Sequence, residues 1–207
     1  MIVQDTVMNP SDSGLLEEPN YIKCLSGSGN VLKWSWKEAG ELIVINNHKI
    51  AKIEDVDKKS GYTRCVLEKL PQWFGNKQAI DEYAEEVSDI PYWAVLDQDN
   101  ECIGFFSVKT HYGHTGEIFV CGVLPEYQHR GVGKFLYYAV EEYLIQNNCR
   151  YVIVKTLSEI IAYEPYEQTR KFYESIGFEP LITLSEMWDE ENPCLIMIKM
   201  LTQDRNR

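Results

Sequence analysis

The rhythm of the apolar positions changes part-way along the chain, and this change predicts the order of the elements. Short apolar runs at 93–96 and 102–108 flank a polar turn, which is typical of a β-hairpin. A third run at 117–124 ends at a proline. The apolar residues then recur at helical spacing: Val132, Phe135, Leu136, Ala139, Val140, Tyr143 and Leu144. This stripe predicts an amphipathic helix that ends near Asn147.

Further elements are predicted on either side of this helix. Helical patterns at 55–70 and 76–87 precede the hairpin, the first ended by Pro71 and the second capped by Asn76. The elements after the long helix are a strand, a helix and two strands, at 151–157, 165–175, 178–184 and 194–201. A strand–helix–strand unit inside an otherwise antiparallel order implies an α/β (α+β) fold with a mixed, mostly antiparallel sheet.

The first 46 residues differ in character from the rest. Residues 1–20 are rich in Asn, Ser, Pro, Asp and Glu, which indicates a loosely attached arm. Short β-like runs follow at 31–36 and 42–45. We therefore predict an N-terminal extension at 1–46, partly extended or β, and one globular domain at 47–207.

Charge and composition narrow the classes of function. The 207 residues carry a formal net charge of −12, which argues against nucleic acid as the main partner because phosphate binding needs a basic surface. The same charge is compatible with a cationic substrate such as an amine. No apolar run reaches membrane-spanning length, and the six cysteines form no C-x-x-C pair. We expect a cytoplasmic, reduced protein that binds no membrane.

The stretch EYQHRGVGKFL at 126–136 places two glycines at the start of the long helix. The first backbone N–H groups of a helix lack partners within it and carry partial positive charge, so they attract anions. Gly131 and Gly133 have no Cβ to block close approach, and Arg130 and Lys134 flank them. The junction is therefore suited to a phosphate group, although the chain has neither a P-loop nor a standard dinucleotide motif.

Gln128-x-x-Gly131-x-Gly133 resembles the acyl-CoA signature of the GNAT N-acetyltransferase superfamily, whose pattern is Q/R-x-x-G-x-G/A. The strand before it, the helix and strand after it, and the run FYESIGF at 172–178 resemble the family in order and spacing. The resemblance covers about residues 50–201. The combination is far more specific than any of these motifs alone.

The resemblance implies a splayed mixed sheet, flanked by helices, with acetyl-CoA between its two parallel central strands. It implies that pyrophosphate oxygens accept hydrogen bonds from six consecutive backbone amides: His129, Arg130, Gly131, Val132, Gly133 and Lys134. Pantetheine would run beside Cys121 and Val123, with Gln128 opening the signature. Acetyl-CoA is then the one cofactor expected, and no metal is.

Acetyl transfer to an amine requires that the ammonium lose a proton, that the oxyanion be stabilised and that the leaving thiolate be protonated or solvated. Strand alternation predicts one shared face for four residues: Glu117, Phe119, Cys121 and Val123. Glu117 is therefore the candidate base, and the local run resembles the histone-acetyltransferase branch, whose base is a glutamate at this place. The alternative is that Glu117 is only a solvated carboxylate at the start of the strand. In many GNAT enzymes the proton passes to the base through ordered water, so Glu117 can act directly or through water.

Two further residues are assigned to the chemistry. The amide of Cys121 is the predicted oxyanion donor, while its thiol is expected only to pack in the core. Tyr173 is the predicted general acid, because a phenol with a pKa of about 10 holds its proton at neutral pH. The alternative is a packed tyrosine, although we expect Phe172 to face the core, since Ile176 follows it by four residues. Many relatives carry Asn where this chain has Tyr166, so the chain departs from the family pattern at this position of the helix.

Side chains near the predicted cleft suggest how an acceptor is bound. The resemblance makes the joint between the first two helices a wall of the acceptor site, so Trp73 and Phe74 are candidate substrate-binding residues, with core packing as the alternative. His111 and His114 are expected in an exposed β-loop, because no further metal ligand is evident nearby. Either histidine can relay a proton.

The predicted function is transfer of an acetyl group from acetyl-CoA to a primary amine of a small molecule, aminoglycoside-, polyamine- or amino-acid-like. One alternative is a protein or peptide N-acetyltransferase. Another is a catalytically weak sensor or interaction module that binds acyl-CoA. Members of the superfamily are often dimers, so a homodimer is a further expectation.

Overall fold

The computed structural model describes residues 48–189 and 191–201, together with the backbone of three short strands that precede them. Those strands are β1 (Lys23–Leu25), β2 (Val31–Lys33) and β3 (Ile43–Ile45). The predictions made for residues 1–20 and 34–36 lie outside the described residues.

The chain divides into two compact units, Met1–Ala39 and Gly40–Arg207. In the first unit, β1 and β2 form an antiparallel pair in which Cys24 lies opposite Leu32. All other described elements belong to the second unit.

The described part of the second unit contains four α-helices and an eight-stranded sheet. The helices are α1 (Val56–Leu67), α2 (Lys77–Glu86), α3 (Val132–Gln146) and α4 (Glu164–Ser175). Besides β3, the strands are β4 (His48–Lys52), β5 (Tyr92–Leu96), β6 (Cys102–His111), β7 (Thr115–Val123), β8 (Tyr151–Leu157), β9 (Glu179–Asp189) and β10 (Asn192–Met200). Their order in the sheet is β3-β4-β5-β6-β7-β8-β10-β9.

Every neighbouring pair in this sheet is antiparallel except β7 and β8, which run parallel. The predicted mixed sheet with a parallel central pair is therefore confirmed. The connection between the parallel strands is α3, since a parallel pair needs a long crossover.

The two early helices begin as the sequence predicts, because each has a polar cap. The Asp55 side chain accepts a hydrogen bond from the Lys58 amide at 2.9 Å. The Asn76 side chain accepts from the amides of Gln78 and Ala79, at 2.9 and 3.4 Å. Helix α1 ends earlier than predicted, at Leu67 rather than residue 70.

Strands β6 and β9 are longer than predicted. Strand β6 continues to His111 and is joined to β7 by a turn in which Tyr112 and Gly113 have φ values of 53° and 70°. Strand β9 continues to Asp189 although much of it is exposed. In both cases pairing with the neighbouring strand continues the element beyond its apolar run.

The sheet separates two layers of helices. Adjacent residues of β5 point to opposite faces: the Tyr92 hydroxyl lies 3.2 Å from Thr63 of α1, and the Trp93 ring lies 4.9 Å from that of Tyr143 of α3. Both β5 residues are buried. The core therefore lies on both sides of the sheet, with α1 on one face and α3 on the other.

Candidate active site

The parallel strands β7 and β8 form a fork. Their paired residues run from Thr115 opposite Tyr151 to Ile118 opposite Val154. Beyond that point β8 is paired only with β10, while β7 continues to Val123 alongside β6. The sheet is thus splayed at the carboxyl ends of its two parallel strands, directly before the start of α3.

A β-bulge in β7 lies just inside the fork. Phe106 of β6 is opposite Cys121, but Val108 is opposite Ile118, so β7 has one extra residue between these pairs. The buried Ser107 hydroxyl donates to the Val120 carbonyl at 2.8 Å and lies 3.2 Å from the Val120 amide. One side chain therefore satisfies both backbone groups of Val120 at the bulge.

The bulge corrects the prediction that alternate residues of β7 share one face. Phe119 contacts Tyr83 of α2, with ring centroids 5.7 Å apart. The Cys121 sulfur instead lies 3.4 Å from the Tyr173 hydroxyl of α4. The extra residue reverses the alternation, so Glu117 and Phe119 lie on the α2 side and Cys121 on the α4 side.

The start of α3 has the backbone geometry that the glycines predict. Gly131 is the N-cap residue with φ 86°, a left-handed conformation that favours glycine, and no side chain caps the helix. A Cβ on Gly133 would lie 3.3 Å from the ring of Phe172 on α4, so this glycine also allows α3 and α4 to approach closely. His129, Arg130 and Gly131 are exposed.

Gln128 has a local structural role at this junction. Its side-chain amide donates a hydrogen bond to the Val123 carbonyl at 2.9 Å. The bond fixes the loop, which includes a short 3-10 helix at Pro125–Tyr127, to the end of β7. Val123 was predicted to lie beside pantetheine, and in the structure its carbonyl already accepts this hydrogen bond.

Glu117 lies at the base of the fork, one residue before the pairing ends, and is only 4% exposed. Its Oε1 is 2.8 Å from Nζ of Lys155 on β8, and its Oε2 is 2.5 Å from Nε2 of His111 on β6. Burial raises the pKa of the Glu117 carboxyl, but the hydrogen bonds from Lys155 and His111 outweigh burial and leave the pKa below its ordinary value. Glu117 is therefore an ionised carboxylate that accepts hydrogen bonds from two side chains, Lys155 and His111.

The Cys121–Tyr173 pair lies on the opposite side of β7. Desolvation raises the pKa of the Cys121 thiol to about 11, despite an opposing hydrogen bond from Tyr173. Burial also raises the pKa of Tyr173 well above its ordinary value. Both groups keep their protons at neutral pH, which makes Cys121 a poor nucleophile and leaves Tyr173 able to donate.

The expectation for Phe172 is wrong. Tyr173 is the buried residue of the two, at 3% exposed, and Ile176 is buried beside it. Phe172 is half-buried and lies against Gly133 at the start of α3. The spacing of four residues from Phe172 to Ile176 suggested the wrong buried position, because it did not show that the Tyr173 side chain contacts Cys121.

The aromatic loop between α1 and α2 reaches both sides of the cleft. The Trp73 indole donates to the Thr169 hydroxyl of α4 at 3.0 Å, and the Phe74 ring lies 6.0 Å from Tyr83. Both Trp73 and Phe74 are half-buried. Since Tyr83 also contacts Phe119, an aromatic row leads from this loop towards the Glu117 side of β7.

Three residues near the fork were assigned no role from the sequence: Lys155, Tyr83 and Tyr166. Burial raises the pKa of Tyr166 to about 12, with neighbouring Tyr83 adding to the effect. Each of these residues lies in an element whose existence was predicted, but its partner lies far away in the sequence. Only the pairing of β7 with β8 shows that Lys155 reaches Glu117.

The described residues contain no group of three metal-ligating side chains. His111 contacts Glu117, whereas Nδ1 of His114 lies 2.8 Å from the Thr115 hydroxyl. The two histidines therefore have separate partners. No helix in the described part of the chain is long and apolar enough to span a membrane.

A family model described as the acetyltransferase (GNAT) family matches residues 48–178, which is more than half of the chain. The chain belongs to the GNAT acetyltransferase family. This membership identifies an N-acetyltransferase, and the enzymes of this family use acetyl-CoA as acetyl donor. No curated protein matches the sequence.

Solved structures share the fold. A protein of Desulfovibrio desulfuricans assigned to the GNAT acetyltransferases has a TM-score of 0.65 and 18% identity, covering 75% of this chain and 99% of its own. An aminoglycoside 6'-N-acetyltransferase in complex with coenzyme A has a TM-score of 0.59 and 18% identity, covering 76% and 99%. Ard1 of Thermoplasma volcanium has a TM-score of 0.62 and 13% identity, covering 76% and 99%. At these identities the likeness shows the fold alone.

Proposed function

We propose that this enzyme transfers the acetyl group of acetyl-CoA directly to a primary amine of a small molecule. The observation that carries the proposal is the fork between β7 and β8, which opens at the start of α3 and has Tyr173 on one side and Glu117 on the other. An acetyl thioester placed in the fork would have an acid on its sulfur side and a carboxylate on its amine side.

The residues at the start of α3 fit the donor. Six consecutive residues, His129, Arg130, Gly131, Val132, Gly133 and Lys134, would hold the pyrophosphate through backbone amides at an uncapped helix start. Arg130 and Lys134 are exposed there and add positive charge. The amides of Cys121 and Val123 are proposed to face the pantetheine and the developing oxyanion.

Acetyl-CoA supplies an acyl group activated as a thioester, and the protein supplies the proton transfers. The Glu117 carboxylate, directly or through water, draws a proton from the acceptor ammonium. The neutral amine forms the C–N bond and the C–S bond breaks. Tyr173 donates a proton to the leaving sulfur and regains one from the acetylated nitrogen, so one proton is released to solvent for each acetyl group transferred.

The chemistry of the acceptor is proposed from the wall of the cleft. The aromatic row Phe74, Tyr83 and Phe119 lies on the amine side, and Trp73 ties that wall to α4. Exposed Glu82, Glu85 and Glu86 of α2 add negative charge that favours a cationic acceptor. The aminoglycoside enzyme among the structural neighbours fits a small amine, and a protein or peptide acceptor is the second candidate.

Calorimetric titration with acetyl-CoA tests the donor site. Arg130→Glu and Lys134→Glu each bring a carboxylate to the start of α3, and we expect each to weaken acetyl-CoA binding about tenfold or more. Lys77→Glu is the matched control, because Lys77 is likewise an exposed lysine at the start of a helix, α2. The Lys77→Glu variant should bind acetyl-CoA with the affinity of the wild type. Acetyl-pantetheine lacks the pyrophosphate and should bind all four proteins alike.

Release of CoA thiol over a panel of aminoglycosides, polyamines, amino acids and peptide amines then tests the acceptor. Turnover of small amines, with little on peptides, supports the proposed reaction. Turnover confined to peptides replaces it with the second candidate. Tight acetyl-CoA binding without turnover of any amine would instead favour an acyl-CoA-binding sensor or interaction module.

A further inference from the structure

Lys155 places a positive charge beside Glu117 on the acceptor side of the fork. It is the first residue of β8 after the pairing with β7 ends at Val154. Its Nζ lies 2.8 Å from Oε1 of Glu117, and 30% of the Lys155 side chain is exposed, against 6% for Glu117. Burial raises the pKa of Tyr83, and the nearby charge of Lys155 partly opposes this rise. The ammonium is therefore the accessible half of the ion pair, and it lies near the proposed acceptor wall.

Only part of the hydrogen-bonding capacity of Lys155 is used. An ammonium group has three N–H donors and no acceptor. Among the described residues, Glu117 is the one partner of this ammonium, through a single carboxylate oxygen. The other oxygen of Glu117 is bonded to His111. Donors of Lys155 therefore remain for a ligand, and a carboxylate is the group that accepts from them most strongly.

The lysine and glutamate charges on this side of the sheet cancel in pairs. Glu117 with Lys155 is one pair, and Glu86 of α2 with Lys109 of β6, 2.7 Å apart, is the other. The Lys109 ammonium also lies 3.3 Å from the centre of the Phe119 ring, so a cation already covers this part of the aromatic row. A simple ammonium brought to Glu117 meets a carboxylate whose charge is already balanced. The repulsion between that ammonium and Lys155 opposes its binding.

We propose that the acceptor carries a carboxylate next to its primary amine, and that Lys155 binds this carboxylate while Glu117 faces the amine. The proposal rests on the proposed function and narrows its acceptor to an amino-acid-like compound. In an α-amino acid only Cα and the carboxyl carbon separate the nitrogen from the carboxylate oxygens. The two groups can therefore lie against the adjacent Glu117 and Lys155, so that each charge faces its opposite. Lys155 is the residue that determines this specificity.

The exposed acidic residues of α2 act at an earlier stage. Glu82 and Glu85 attract an ammonium group as it approaches the protein, and an amino acid carries that group as a polyamine does. The balanced pair then decides which amines bind at Glu117. A compound with several amines and no carboxylate brings a cation to Lys155 and offers it no acceptor. Amino acids are therefore favoured over polyamines and aminoglycosides.

Matched acceptors that differ by one carboxylate test this proposal. Phenylalanine with phenethylamine, leucine with isoamylamine and arginine with agmatine are such pairs, and release of CoA thiol measures kcat/KM for each member. Wild type should prefer an amino acid over its matched amine by about tenfold or more, because a charge-assisted hydrogen bond is lost with the carboxylate. Lys155→Met should abolish this preference, and Lys155→Arg, which keeps the charge, should retain it. The ratio is taken within each variant, so a general loss of activity cancels.

Lys199→Met is the matched control. Lys199 is also a partly buried lysine that is paired with a glutamate, Glu141, at 2.5 Å, but it lies on β10 and its partner lies on α3. This variant should keep the preference of the wild type. If Lys155→Met keeps the preference as well, another residue binds the carboxylate and the assignment of Lys155 is wrong.

The outcomes separate this proposal from the proposed function. Wild type that acetylates the matched amines as well as the amino acids contradicts a carboxylate-bearing acceptor but leaves transfer to a small amine standing. Absence of turnover with every small amine overturns the proposed function itself. Calorimetric titration with the same amino acids in the presence of CoA then still tests the site. Binding that Lys155→Met weakens and Lys199→Met does not weaken supports the role of Lys155, and absence of binding overturns it.

Discussion

The hydroxyl of Tyr173 is the group on which protonation of the leaving sulfur is predicted to depend. Tyr173→Phe should lower kcat about 10²-fold with acetyl-CoA affinity retained, because the phenylalanine ring fills the same space and lacks the proton. The raised pKa of Tyr173 means that the group stays protonated as pH rises through its ordinary range, so this residue should add no basic limb to the profile. Steady-state kinetics between about pH 6 and pH 9 check both points.

Tyr92→Phe is the control for this substitution. Tyr92 is equally buried, but its hydroxyl contacts Thr63 in the α1 layer rather than a residue of the fork. We expect a loss of about 1 kcal/mol in the free energy of unfolding and an unchanged kcat. If both variants lose activity to the same extent, the effect of Tyr173→Phe reflects packing and the acid is another group.

Some site residues could be assigned from the sequence, whereas the contacts of others could not. Gly131 could be assigned because a left-handed helix start favours glycine whatever surrounds it. Tyr173 could be named from its motif, yet its neighbour Phe172 was given the buried position that Tyr173 has. The partners of Glu117 could not be foreseen, because His111 and Lys155 reach it only through strand pairing.

At the scale of elements, the bulge of β7 decides which side chains face each half of the fork. Ser107→Ala leaves the amide and carbonyl of Val120 without their partner in a buried place, which should cost about 2 kcal/mol in the free energy of unfolding. It should also lower kcat, because Cys121 and Glu117 keep opposite faces only while the extra residue is held. Urea denaturation and turnover measure the two effects.

Ser175→Ala provides the comparison for the bulge variant. The Ser175 hydroxyl donates to the Phe172 carbonyl at 2.7 Å, but it is exposed at the end of α4. Its removal should change the free energy of unfolding by no more than about 0.5 kcal/mol and leave kcat unaltered. If Ser107→Ala proves as mild, the pairing of β6 with β7 holds the bulge without the hydroxyl.

The elements themselves were largely predictable, since periodicity and caps depend on local sequence. Strand β8 has the predicted bounds, and the predicted cap Asn76 binds the amides of Gln78 and Ala79. The bulge was not predictable from alternation, because an extra residue in β7 has meaning only against the register of β6. The same non-local pairing extended β9 beyond its apolar run.

For the whole molecule, the sequence predicted the sheet type because a parallel pair follows from a strand–helix–strand unit. It did not predict the full sheet, in which β3 and β4 extend one side and β9 forms the other edge. Strand β4 was hidden in an ambiguous segment, HKIAK at 48–52, whose mixture of basic and apolar residues gave no clear period. This segment forms a strand because it pairs with β5, and its own sequence pattern does not predict one.

The outer edge of the sheet carries the remaining prediction, the homodimer. Strand β9 has β10 as its one neighbour among the described strands, and it exposes Leu181, Ile182, Met187 and Trp188, each at least 42%. A long apolar edge strand is a template for pairing with another chain, and two copies related by a two-fold axis would pair β9 with β9. The prediction is therefore a dimer formed through this edge.

Sedimentation equilibrium tests this edge with one matched pair of variants. Ile182→Lys places a charge in the middle of the edge and should convert a wild-type dimer into a monomer that still binds acetyl-CoA, since the fork lies on β7 and β8. Val56→Lys adds the same charge at an equally exposed apolar residue on α1 and should leave the dimer intact. A wild-type monomer at tens of micromolar, or a dimer that persists in Ile182→Lys, contradicts pairing through β9.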